Sequence, residues 1–265
     1  LVFLPGAAEI RKCTEACAAV ARDADLHVVQ LHGDLPPKEQ DAAIAPSSRR
    51  KIILSTNVAE TSVTIEGVVA VIDSGLARIA GHDPWTGRTT LDIGKIARAS
   101  AIQRAGRAGR VRPGRALRLY GKGDFEARPE HDTPEAQRTD LTEAVLMLET
   151  SGIDPRSFDW LSPPSSQALD GALALLRRLH AVDDRGVTDT GRRMTRFPLA
   201  PRLARVLVEA ERRGVTDEAC TATAILAHGR DIYTRGFEDQ ATDSASDLSV
   251  RVTDLLDRHG VDRGA

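Results

Sequence analysis

Five short apolar runs rich in β-branched residues set the fold class of this chain: residues 1–4 (LVFL), 26–31 (LHVVQL), 51–55 (KIILS), 68–73 (VVAVID) and 116–120 (ALRLY). Stretches of helical period lie between them. One, near 8–22, places Ile10, Cys13, Cys17 and Val20 on a single face, and another is opened by Pro36-Pro37. A strand buried on both faces needs a continuous rather than an alternating apolar run, and helices between strands supply the crossovers that parallel pairing demands. The first part of the chain is therefore expected to be an α/β domain, a parallel sheet with helices on both faces. The connection 74–98 breaks the rhythm. Residues 76–80 and 89–93 flank the turn-rich Asp83-Pro84-Trp85-Thr86-Gly87, the pattern of a β-hairpin projecting from the sheet.

After Gly123 the periodicity becomes helical. One helix is expected over 135–150, ended by Ser151-Gly152, and another over 165–180 with Leu169, Leu173, Leu176 and Leu179 as its apolar seam. Residues 182–197 carry two glycine turns, and the helix–helix–small β-wing order fits a winged helix. The expected division is 1–123, 124–198 and 199–265, the last a partial helical bundle that is cut short. The chain also opens directly on a strand, as an excised segment would.

Net charge is −2 over 265 residues, so no bulk basic field advertises nucleic acid, and any such surface must be a local cluster of arginines. The three cysteines form no CxxC pair, and no neighbouring ligands complete a zinc site. They are expected as reduced thiols packed in the core. Neither a leader nor a membrane-length apolar run is found, and the expectation is a soluble, cytoplasmic, monomeric protein away from membranes.

The sharpest feature is Gln103-Arg104-Ala105-Gly106-Arg107-Ala108-Gly109-Arg110. At roughly 100° per residue, Gln103, Arg107 and Arg110 share one narrow helix face and Arg104 points away. Two guanidiniums and an amide on one face suit a triphosphate, since arginine offers bidentate donors and keeps its charge. Gly106 and Gly109 are costly inside a helix, which implies close approach to the backbone there. The competing reading, a solvated basic face or a grip on nucleic-acid phosphates, explains neither glycine. A second feature, residues 55–65 (STNVAETSVTI), puts hydroxyls and an amide at the carboxyl end of a buried strand, where α/β sheets bind ligands; a plain helix cap competes with that reading.

Together, residues 2–6 (VFLPG), LHGDLPPKEQ, STNVAETSVTI followed by VIDSGLAR, and QRAGRAGR followed by PGRALRLY resemble helicase motifs IV, V and VI of the DEAH-box RNA helicases, in the bacterial HrpB-like branch. The later FDWLSPP, ALALLRRLHAVDDRGVTDTGRRM and FPLAPRLARVL resemble the winged-helix and early ratchet-like regions of that family. The resemblance implies a RecA-like motor domain in which Arg107 and Arg110 act as arginine fingers on the ATP γ-phosphate, with Gln103 beside them. It implies nucleotide contacts at Thr64 and Glu66, RNA-backbone contacts at Thr56, Asn57, Ser62, Gly6 and Gly33, and a strand-guiding hairpin at 77–93. Ile44 stands where the family often carries an aromatic that stacks on adenine, so ATP and other nucleoside triphosphates should serve alike.

No GxxxxGK[ST] occurs, and Asp217-Glu218-Ala219-Cys220 follows no buried strand, its acidic residues suiting a first helical turn behind Thr216 as cap. The phosphate cradle and the Mg²⁺ carboxylates are therefore expected on an N-terminal RecA-like domain of the same protein. Alternatives are a non-catalytic winged-helix scaffold that retains helicase motifs, and a DNA-directed helicase. His32 could approach RNA but is expected capped or exposed, and His27 packed in its strand. Arg202, Arg205, Arg212 and Arg213 could line an RNA channel but read first as a solvated face.

Overall fold

The computed structural model describes residues 1–61, 63–83, 88–110, 112–228 and 247–257, in two compact units, Leu1–Thr139 and Asp140–Ala265. In the first unit the apolar runs become β1 (Val2–Phe3), β2 (His27–Leu31), β3 (Lys51–Ser55), β4 (Ala70–Asp73) and β7 (Arg115–Arg118). They form one five-stranded sheet in the order β2-β3-β1-β4-β7, every pair parallel. The crossovers carry α1 (Ala7–Asp23), α2 (Pro37–Ile44), α3 (Val58–Thr61) and α4 (Arg98–Gly106), and α5 (Lys122–Ala127) follows the last strand. Phe3, Leu31, Ile53, Ile65 and Val71 form the core, and burying each such side chain is worth about 1.5–3 kcal/mol. The expected hairpin is present as β5 (Leu76–Asp83) and β6 (Arg88–Lys95), paired from Leu76 opposite Lys95 to Asp83 opposite Arg88. Residues 84–87 of its turn lie outside the described residues.

Two local readings change. In α1 the buried stripe runs from Ile10 to Ala21, and Val20 is 61% exposed. Eleven residues bring a helix back to nearly the same face after three turns, whereas ten leave the side chain roughly 80° off it. Cys13 and Cys17 are only half-buried and Cys220 is exposed, so the thiols are not core residues.

The first unit also runs past the boundary expected at 123. Helix α4 has no side-chain cap, and the N–H groups of Arg98 and Ala99 donate instead to the carbonyls of Pro129 and Glu130, both at 2.9 Å. Arg138 likewise donates to the Ala80 carbonyl of the hairpin. The helix expected over 135–150 begins only at Thr142, because the Asp140 carboxylate accepts from the Thr142 N–H at 2.9 Å and starts the turn there.

The second unit opens with α6 (Thr142–Thr150) and α7 (Ser166–Arg178), whose Leu169, Leu173 and Leu176 are buried and whose Ser165 cap accepts from the Ala168 N–H. A two-residue wing follows, β8 (Val182–Asp183) antiparallel to β9 (Gly186–Val187), then α8 (Asp189–Met194), α9 (Pro201–Arg213), α10 (Thr216–His228) and α11 (Asp247–Asp257). Helix α9 starts with a proline and ends on Gly214 at φ 72°, the left-handed stop that glycine makes without strain. Helix α10 starts at Thr216 itself, with Asp217 and Glu218 in its first turn, so the cap falls one residue before the expected Thr216.

Candidate active site

Because all five strands run parallel, the segments after them gather at one edge of the sheet. Thr56 and Asn57 follow β3 and Gly33 follows β2; Asn57 and Gly33 are exposed and Thr56 half-buried. Thr56 is anchored by its N–H to the Leu31 carbonyl at 3.2 Å. Gly6 is buried as the N-cap of α1, and a Cβ there would meet Arg78 Nε at 2.6 Å. The backbone expected to touch RNA at Gly6 is thus covered, and the exposed group above it is the Arg78 side chain of β5. Ser62 lies outside the described residues.

Helix α4 ends at Gly106 and passes into a 3₁₀ turn over Arg107–Gly109. Despite that change of pitch, Gln103, Gly106, Arg107 and Arg110 line one cleft of about 350 Å³ with Glu60 and Thr61 of α3. The two arginines differ sharply. Arg107 is 6% exposed. Its Nε donates to the Glu60 carbonyl at 2.9 Å and its Nη1 to the Val63 carbonyl at 2.7 Å, while Nη2 also reaches the Glu60 carbonyl. Burial first, then the charge of Arg110, lower its pKa from the ordinary value, with Glu60 opposing. Arg110 is exposed, and its Nη1 donates to the Thr64 hydroxyl at 3.1 Å. Gln103, Thr64 and Glu66 are exposed as well. Ile44 does not line the cleft; it is partly buried and packs against the sheet core.

Gly106 and Gly109 do not have the close neighbours that their cost implied: a Cβ at either meets no atom of this chain within 4 Å. Arg104, expected to point away, is fully buried. Its Nε donates to Glu60 Oε2 at 2.9 Å, and its Nη1 to Asp73 Oδ1 at 2.8 Å and the Leu76 carbonyl at 3.1 Å. It also stands 4.8 Å from the Phe3 ring centroid. Removing one partner of such a buried pair typically costs about 3–5 kcal/mol. Glu60 was legible as part of STNVAETSVTI, but nothing in its spacing marked it as the residue that serves both arginines.

Elsewhere, His32 is buried rather than exposed, and His27 is exposed rather than packed. In the second unit Arg202, Arg212 and Arg213 are exposed, as a solvated face requires, and Arg205, Arg212 and Arg213 converge on Glu209 at 2.5–3.3 Å, which holds its carboxyl well below the usual range, Arg212 first. Among the described residues no cluster of three or more His, Cys, Asp or Glu is placed to hold a metal, and no helix is long and apolar enough to cross a membrane.

Residues 1–112 match the model of the helicase conserved C-terminal domain. Over 98% of its length the chain is 35% identical to the E. coli DExH-box NTPase HrpB, with a TM-score of 0.78. A second E. coli structure, of the DEAH/RHA helicase HrpB, matches over 97% of the chain at 35% identity and a TM-score of 0.81. The chain belongs to the DEAH/RHA helicases, in the HrpB-like branch. The five-stranded parallel sheet flanked by helices is the RecA-like fold of a helicase C-terminal domain. This helicase chain spans about a third of the length of those solved relatives, 32% and 33%.

Proposed function

We propose that this chain is the C-terminal half of an ATP-dependent helicase that moves along single-stranded RNA, and that it completes an ATP site whose phosphate cradle and Mg²⁺ carboxylates stand on an N-terminal motor domain of the same cytoplasmic protein. The observation that carries this reading is the convergence of Gln103, Arg107 and Arg110 on one cleft. Within it the two arginines take different parts. Arg110, exposed and tethered to this chain through one neutral hydroxyl, is free to swing onto a γ-phosphate. Arg107 spends three of its five N–H donors on carbonyls, so it holds the α3 segment and presents what is left to the cleft. Thr64 then changes partner when Arg110 moves, which ties it to the nucleotide without direct contact. Mg²⁺, held by the other domain, would neutralise charge on the phosphates, and Arg110 would add its own on closure.

The carboxyl-edge groups Thr56, Asn57 and Gly33, with Arg78 of the hairpin, supply polar and cationic contacts suited to a nucleic-acid backbone, so binding is sequence-tolerant and salt-sensitive. Residues 124–198 form the winged helix of this reading and residues 199–265 the start of its ratchet-like domain.

The decisive measurement is ATP hydrolysis by the complete protein, alone and with RNA or DNA of matched sequence. RNA should stimulate and DNA should do so less, and Arg110→Ala should lower the stimulated rate on the order of 10³-fold or more. An inactive parent protein, or full activity in Arg110→Ala, defeats the motor reading. Equal stimulation by DNA defeats RNA specificity alone.

A further inference from the structure

Glu60 works from both ends. Its main-chain carbonyl is the acceptor for Arg107, and its carboxylate takes Arg104 Nε at 2.9 Å and the Ser100 hydroxyl at 2.6 Å. Arg104 continues from there into the root of the β5–β6 hairpin: its Nη1 reaches Asp73, the last residue of β4, and the carbonyl of Leu76, the first residue of β5. Asp73 in turn accepts from the Gly75 N–H and, through Oδ2, from the Tyr120 hydroxyl, both at 2.9 Å. The Tyr120 ring lies 3.9 Å from the guanidinium carbon of Arg128, whose Nη1 donates to the carbonyls of Gly75 and Ile96, the residues immediately before and after the hairpin. Arg128 Nη2 and Lys95, the last residue of β6, share the Asp124 carboxylate.

Three cations, Arg104, Arg128 and Lys95, thus face three carboxylates, Glu60, Asp73 and Asp124, in one continuous chain of contacts. It begins at the residue that seats Arg107 and ends on both legs of the hairpin. A scaffold that only had to hold the sheet together would need neither legs nor cleft in the chain. From Glu60 through Arg104 and Asp73 to Arg128 the charged side chains are buried or nearly so, and only the Lys95–Asp124 end meets solvent. In the buried part each lost partner leaves a charge uncompensated, so displacement at one end is passed along rather than absorbed.

We infer that Arg104 is a positioning residue that couples the arginine-lined cleft to the hairpin: movement of α3 and Arg107 on nucleotide binding shifts Glu60, and Arg104 carries that shift to Leu76 and Asp73 at the hairpin root. This rests on the motor reading above, in which nucleotide closes on the cleft and the hairpin acts on the strand.

The test uses the complete protein, its Arg104→Lys and Tyr120→Phe variants, and three readouts. These are nucleic-acid-stimulated ATP hydrolysis, duplexes separated per ATP consumed, and backbone hydrogen exchange of 76–83 and 88–95 with and without a non-hydrolysable ATP analogue. Lysine keeps the charge at 104 but cannot hold Glu60, Asp73 and Leu76 in one fork. Hydrolysis should stay within about threefold of the parent while separation per ATP falls ~tenfold, and the analogue should cease to alter exchange at the hairpin. Hydrolysis and separation that fall in proportion, or an unchanged exchange response in the hairpin, overturn the coupling. If Arg104→Lys does not fold, Tyr120→Phe, which deletes one hydroxyl contact of the same chain, decides by the same ratio. A parent without stimulated hydrolysis overturns the motor reading and the coupling with it, whereas an active parent with an unaltered ratio overturns the coupling alone.

Discussion

Arg107 Nε lies 2.9 Å from the carbonyl oxygen of Glu60, a main-chain acceptor 47 residues earlier, and with Val63 it fixes where the α3 segment stops. Arg110, three residues on, makes one bond to a hydroxyl at the surface. The same charge on two neighbouring turns therefore has two different energetic roles. Arg107→Ala should destabilise this chain by about 1–3 kcal/mol, because two carbonyls lose their donor. Arg110→Ala should leave stability within about 0.5 kcal/mol. Denaturant midpoints of the two variants check this, and equal midpoints would mean that Arg107 is not clamped.

Gly75 and Gly67 share a left-handed backbone, both at φ 73°, but not a neighbourhood. A Cβ at Gly75 would sit 2.6 Å from Arg128 Nη2 and from the Tyr120 ring, whereas nothing lies within 4 Å at Gly67. Alanine at 67 should cost only backbone strain, about 1 kcal/mol, and alanine at 75 should cost about 3 kcal/mol or more, because the Tyr120–Arg128 stack must also open. The difference between the two midpoints isolates the packing contribution at the hairpin root.

The sheet and the hairpin were legible in the sequence because both rest on local pattern, continuous β-branched runs in one case and a turn-rich centre in the other. The grouping at the cleft was legible in part: helical period sets Gln103 with Arg107 and Arg110 and turns Arg104 away, although α4 stops at Gly106 and a 3₁₀ turn carries the chain on to Arg110. What Arg104 turns toward was not legible. Glu60 and Asp73 are 44 and 31 residues distant, and the parallel order β3-β1-β4, with α3 directly after β3, brings both to it. Tyr120 was legible only as the end of the run 116–120 and Arg128 belongs to no periodic or motif pattern, so neither pointed to the hairpin root. That the first compact unit runs to Thr139 was not legible for a related reason, since the carbonyls of Pro129 and Glu130 that cap α4 look like ordinary loop until the helix they serve is in place.

Gly106 closes α4 with open space above it, although glycine is a poor helix residue. Gly106→Ala should therefore raise the stability of this chain by up to ~1 kcal/mol through helix propensity alone. If the facing motor domain closes on that backbone, the same change should lower ATP hydrolysis by the complete protein on the order of tenfold to a hundredfold, the cost of holding the reacting groups about an ångström apart. Stability and turnover moving in opposite directions is the expected outcome. Turnover that is unaltered would place the closing surface elsewhere on the cleft.

Tyr120 gives the polar chain at the hairpin root a spectroscopic handle. Burial first, then its hydrogen bond to Asp73 and that carboxylate's charge, push its hydroxyl up to about 12, with Arg128 and Arg118 pulling the other way. The folded value lies above the roughly 10 of an unfolded tyrosine, so the stabilisation is fully present below pH ~10 and is lost as pH rises through about 12. Tyr120 should ionise late in a near-ultraviolet titration, and Tyr120→Phe should remove that late step and flatten the alkaline decline in stability. Ionisation of Tyr120 near 10, read as the difference between the parent and Tyr120→Phe with both still folded, would mean that the hydroxyl does not hold Asp73, and the path from Arg104 to Arg128 would be broken at its middle.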